Sequence, residues 1–247
     1  MSAVFDLWPV RRQDGAAENA AAWQVCGAEM RTFAEILAIA AARKGSEAAV
    51  LLGVPVPKSA QALAAIPDDR WLAAMAQWIF RAGISWTVVE AKWPGIEDAF
   101  GGFQIGPLSM MDDDWLEALL SDKRVIRAGP KILAIRDNAV FLRETGGFGR
   151  KVGDWPGEDF AGLIQWMQKS GSRLGGMTAP YVLRHMGKDG YIPTRDVVAR
   201  LVAEGVVEKT PTAPKAWSAV QAAFNCWQAE SGMPLTTISR VLAQSIG

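Results

Sequence analysis

The stretch from Phe160 to Leu201 holds the residues best placed for chemistry: FAGLIQWMQKSGSRLGGMTAPYVLRHMGKDGYIPTRDVVARL. Within it, GSRLGG offers three glycines, Gly171, Gly175 and Gly176, whose backbone can take angles closed to other residues. Glycines leave peptide N–H groups uncovered beside the first turn of the next helix. Such a turn can hold a phosphate, and the hydroxyls of Ser172 and Thr178 and the guanidinium of Arg173 add donors.

The elements on either side must be helices for this to work. Phe160, Leu163, Ile164 and Met167 follow helical spacing, and so do Ala179, Val182, Leu183 and Met186. The spacing therefore predicts a helix, a tight hairpin and a second helix over about 160–187.

Charge is balanced overall, with 26 Lys/Arg against 26 Asp/Glu, but it is unevenly spread. Ser121 to Lys151 carries a net charge of plus five and Gln165 to Arg200 plus four, whereas residues 1–120 carry minus six. Two basic segments in a neutral chain suit a phosphate backbone on one face, although solvated helix faces give the same pattern. Two cysteines and one histidine, His185, are too few for a typical structural zinc site, so no metal is expected. No run approaches 18 uncharged apolar residues and the first residues lack a secretory pattern, which excludes a membrane partner and favours a cytoplasmic location, at the nucleoid in a bacterium.

The rest of the chain reads as short helices. Residues 1–29 are expected to form a poorly ordered extension, and 30–247 a helical domain. Thr32 and Glu35 form a capping box for a helix ended by Gly45, Ser59 can cap a short helix, and Pro67 with Asp68 and Asp69 starts one running to Gly83. Ser85 can cap a helix bearing Trp86, Val89, Glu90 and Trp93 that Pro94 stops, and Asp112 to Asp114 start another. Two helices surround the AGP turn at 128–130, GFGRKVGDWPGED reads as a loop, and three helices follow the hairpin. Strand signals are almost absent. The predicted fold is all-α, about ten short helices in two lobes with a cleft between them.

Three motifs in this order carry a family resemblance. RAGISWTVVEAKW resembles the QAGLSW segment of the 3-methyladenine DNA glycosylase I family; RVIRAGPKILAIRDNAVFL resembles its I-R-x-x-x-K-I-x-A-x-x-x-N-A segment; KSGSRLGGMTAPYVLRHMG resembles its K-R-G-F-x-F-V-G-x-T hairpin. The match spans roughly Pro67 to Asp196, and the wider group is that of helix-hairpin-helix DNA glycosylases. The resemblance implies an enzyme that flips a damaged base out of duplex DNA, holds it between aromatic faces and lets water attack the sugar carbon. It implies excision of alkylated purines such as 3-methyladenine in base excision repair, by a monomer without a nucleotide or other cofactor. A glycosylase for other or bulkier alkyl lesions, and a non-catalytic helix-hairpin-helix DNA-binding protein, are the alternatives.

Residue roles follow from the same resemblance. Trp86 falls on the family's pocket tryptophan, with Trp78, Gln77 and Trp93 as further base-binding candidates. Arg127 and Lys131 join Gly171, Ser172, Arg173, Gly175, Gly176 and Thr178 as DNA contacts. Where the family has a base-recognising glutamate, eight residues before the pocket tryptophan, this chain has Trp78. That exchange favours bulk stacking over recognition of a base edge. The family's terminal zinc clip is also missing. The wider superfamily places a catalytic Asp just after the hairpin, and GYIPTRDVVARL offers Asp196 there; alignment on Pro193 puts Arg195 in that slot instead, and Asp196 can simply complement its helix N-terminus. Glu90 is the second catalytic candidate. The hairpin's GGMTA has no lysine for a Schiff base, so strand cleavage by that route is not expected.

Overall fold

The structure, a computed structural model, describes residues 30–247. The extension expected over residues 1–29 lies outside the described residues. The all-α expectation is borne out, with fourteen α-helices and no strand among the described residues. In chain order they are α1 (Phe33–Lys44), α2 (Glu47–Leu51), α3 (Ala60–Ala64), α4 (Asp68–Arg81), α5 (Trp86–Ala99), α6 (Ile105–Leu108), α7 (Asp113–Ser121), α8 (Gly129–Thr145), α9 (Phe148–Asp154), α10 (Phe160–Ser170), α11 (Thr178–Met186), α12 (Arg195–Ala203), α13 (Pro214–Ser231) and α14 (Leu235–Gln244). The additions to the ten read from sequence are mostly segments of one or two turns, too short to show a period.

Helix α4 is the axis of the site. Nine of its side chains are buried, from Trp71 to Phe80, and it packs against α5, α8, α9 and α11. A second group of helices, α1, α2, α12, α13 and α14, gathers around α14, while α10 packs on both α13 and α11. The join is specific. Buried Gln221 of α13 accepts hydrogen bonds from the Ala161 N–H at the start of α10 (2.7 Å) and from the Tyr191 hydroxyl (3.1 Å).

Several caps form as their residue types dictate: the Thr32–Glu35 capping box, Ser59 on Ala62 N–H, Asp112 on Trp115 N–H and Thr194 on Val197 N–H. Four local readings change, the first being that only α8 adjoins the AGP turn, since α7 ends at Ser121 and residues 122–128 are not helical. Pro94 lies inside α5 rather than ending it. It is exposed, so water can serve the carbonyl left without a donor, while Val89 and Ile96 hold the inner face in the core. The Ser85 hydroxyl does not cap α5; it pairs with the Thr87 hydroxyl at 2.8 Å.

The stretch read as a glycine loop contains α9. Its glycines serve close packing instead of a turn: a Cβ at Gly149 would lie 2.5 Å from the Leu63 carbonyl oxygen, and one at Gly153 would lie 2.6 Å from that of Ala60. Helix α9 thus presses directly on the backbone of α3, a contact that only glycine permits.

Candidate active site

The turn between α4 and α5 is short, with Gly83 at φ +87°, and it folds Trp86 back onto Trp78. The two indoles meet edge to face, with ring centroids 5.1 Å apart and planes at 89°. Because α11 packs against α4, Tyr181 stacks on Trp78 at 4.4 Å and 9°, and meets Trp86 edge-on at 6.0 Å. His185, one turn further along α11, stands 6.3 Å from Trp78. Burial, then the positive charges of Arg81 and Lys58, pull the His185 pKa below its ordinary value, so the imidazole is neutral near pH 7.

Trp78 is buried to 9% exposure and Trp86 is 48% exposed. Trp78 is therefore the floor of the cluster and Trp86 its accessible member. Beside them a cavity of about 220 Å³ opens between α4, α5 and α11. Gln77, Trp93, Arg70 and His185 line it, and Ala73 and Ala74 make room for it. A purine would fit this volume. Two of the four sequence candidates line it, Gln77 and Trp93, although one face of Trp93 is covered by Phe103 at 5.5 Å; Trp78 and Trp86 stand outside its lining, in the aromatic cluster.

Arg81 of α4 had no role in the sequence reading. Its guanidinium carbon lies 4.8 Å from the Trp78 ring and 5.2 Å from the Trp86 ring, and its Nη2 donates to Glu90 Oε1 at 2.7 Å. Glu90 is thereby held as the counter-ion of Arg81, with its carboxylate mostly in water.

The hairpin is built as a separate unit that α8 holds in place. Asn138 of α8, fully buried, accepts from Ser172 N–H and donates to the Ser172 carbonyl, both at 2.9 Å. Gly171 is required at the crossing, since a Cβ there would lie 2.4 Å from Leu174 Cδ1 and 2.9 Å from Asn138 Oδ1. Arg173 takes a left-handed backbone, φ +54°, and donates from Nε to the Pro130 carbonyl at 3.0 Å. This bond ties the hairpin to the AGP turn beside exposed Arg127. Gly175 and Gly176 are exposed with nothing near a built Cβ, and no side chain caps the start of α11, where Thr178 is buried. The Gly175 and Gly176 N–H groups find no acceptor among the described residues, whereas that of Thr178 bonds back to the Gly175 carbonyl at 3.2 Å.

Lys131 has a different duty from the one read in sequence. Its ammonium donates to the carbonyls of Ile79, Phe80 and Ala82, closing the C-terminus of α4. Burial and then Arg173 lower its pKa. Lys131→Met is expected to cost about 1–2 kcal/mol by leaving these carbonyls without their charged donor. Thermal unfolding would fall by several degrees; an unchanged midpoint would show that the cap contributes nothing.

Asp196 lies exposed in the first turn of α12, which packs against α14. Among the described residues, no hydrogen bond, ion pair or ring contact joins it to the aromatic cluster. No group of three His, Cys, Asp or Glu among the described residues could hold a metal, and none of the described helices is long and apolar enough to cross a membrane.

Residues 66–151 match the family model described as methyladenine glycosylase. The matched segment runs from the start of α4 to α9, so it contains Trp86 and Asn138, while the hairpin and Asp196 follow it. Among solved structures, a crystal structure of 3-methyladenine DNA glycosylase I aligns at 21% identity and a TM-score of 0.43, over 54% of this chain and 81% of that one. The comparison with curated proteins finds no match. Sequence motifs pointed to Trp86 and to the hairpin but missed Tyr181, His185 and Arg81. Tyr181 and His185 are four apart on one face of α11, a signal that becomes meaningful only once α11 is known to pack on α4.

Proposed function

We propose that this protein is a monofunctional DNA N-glycosylase that removes alkylated purines from duplex DNA in base excision repair. The observation that carries the reading is the half-exposed Trp86 in an aromatic cluster beside a purine-sized cavity lined by Gln77, Trp93 and His185, with Trp86, Gln77 and Trp93 all within the segment that matches the family model. Arg127, Arg173 and the N–H groups of Gly175 and Gly176 hold the phosphate backbone without reading sequence. The flipped base stacks on Trp86 and enters between Gln77 and Trp93. Water attacks the sugar carbon, and the Asp196 carboxylate stabilises the positive charge that develops as the base departs. The hairpin glycines carry no lysine amine to form a Schiff base, so the product is an abasic site with the strand intact.

The assay is release of free base from alkylated duplex DNA, with 3-methyladenine as the reference lesion because the family is named for it. The intact protein is expected to release methylated purines well above the uncatalysed rate and to leave unmodified DNA whole. Lesion-dependent binding without release, beside an active control enzyme, would instead favour a non-catalytic DNA-binding protein.

A further inference from the structure

The charge inside the aromatic cluster bears on which bases the pocket accepts. Trp78 is covered by Tyr181 and contacted by the Arg81 guanidinium, which also lies within reach of the Trp86 ring. The Arg81 side chain is 9% exposed, and its Nε is buried with no acceptor among the described residues. Its carboxylate partner Glu90 is 59% exposed, so water screens the negative charge more than the positive one. An indole attracts a cation through the negative face of its π-system, and here a resident cation already draws on that attraction at both rings. A cationic base arriving on Trp86 would meet a fixed like charge in a poorly hydrated pocket. An uncharged base meets a planar guanidinium beside its stacking surface and no repulsion from it.

We propose that Arg81 is the specificity-determining residue of this aromatic site and that it makes the protein favour uncharged alkylated purines over cationic ones. Cationic lesions are processed, but with less acceleration over their own spontaneous loss. The inference rests on the glycosylase reading of the site. It also gives Glu90 a role as modulator: removing its charge strengthens the field of Arg81, whereas Arg81→Gln removes the field and installs the residue of the family's QAGLSW pattern.

The test is single-turnover excision from duplexes that differ only in the lesion, 1,N6-ethenoadenine as the uncharged base and 7-methylguanine as the cationic one. Each rate is divided by the spontaneous loss from the same duplex. The wild-type protein is expected to favour the uncharged lesion tenfold or more. Arg81→Gln should cut that ratio at least tenfold by gaining on the cation, and Glu90→Gln should widen it. Opposite shifts in the two variants exclude general damage to the fold as the cause. A ratio that Arg81→Gln leaves unchanged, or a variant that loses both activities alike, overturns the proposal.

If the wild-type protein releases neither base, the glycosylase reading fails and binding still decides the role of Arg81. Calorimetry with 1,N6-ethenoadenosine and with 7-methylguanosine in its cationic form would support the assignment through tighter binding of the uncharged nucleoside that Arg81→Gln erases. Equal affinities would overturn it.

Discussion

Replacing Asn138 with alanine is expected to destabilise the protein by about 2–4 kcal/mol and to weaken its grip on every duplex alike. The side chain is fully buried, and its amide serves both the N–H and the carbonyl of Ser172. Alanine strips both half-buried Ser172 backbone groups of their partner at once and leaves a void at the fully buried position 138. The consequence reaches function because Ser172 opens the turn whose later N–H groups are the proposed phosphate contacts. A loosened turn pays an ordering cost before it can bind. For a chain of this length such a loss corresponds to a fall of roughly 5–15 °C in the unfolding midpoint. Binding of undamaged duplex, measured at fixed salt, should weaken at least several-fold with no dependence on sequence. Asn138→Asp keeps the acceptor for Ser172 N–H and loses the donor to its carbonyl, so the intermediate outcome is expected of it. Unaltered stability and affinity in the alanine variant would remove α8 as the support of the hairpin.

The largest expected effect on catalysis belongs to Asp196. Asp196→Asn keeps shape and hydrogen-bonding capacity but removes the negative charge, so excision at saturating enzyme should slow by about 100-fold or more if the carboxylate stabilises the developing sugar cation. Binding of abasic duplex should change little. Stability should fall by less than about 1 kcal/mol, because the exposed carboxylate contributes only a first-turn interaction with the dipole of α12. Those three readouts separate a catalytic group from a helix-capping one. Unchanged excision would take Asp196 out of the mechanism. Glu90 is the weaker candidate on structural grounds, since Arg81 already holds its carboxylate.

How far the sequence alone reached can be judged from single elements. Thr32, Ser59 and Asp112 were legible as caps because a cap depends on residues three positions apart. The helix-hairpin-helix was legible for the same reason: its two apolar periods and its glycines lie within thirty residues. The glycines of α9 misled, because the reason for them, the backbone of α3, lies about ninety residues before them and leaves no local mark.

The site divides along the same line. Sequence by itself determined the helical class and the position of the hairpin, since each follows from residue type and short-range spacing, while Trp86 was marked by the family resemblance and its exposure only by the structure. Tertiary structure alone decided that Lys131 closes α4 and that Asn138 clamps Ser172. Packing of α11 on α4 likewise set Tyr181 on Trp78, while the turn after Arg81 brought Trp86 within reach of its guanidinium. Those contacts join side chains from separate helices, or across a turn whose geometry is set by packing. What surrounds a charge, and hence what the pocket can accept, is fixed only when the helices meet.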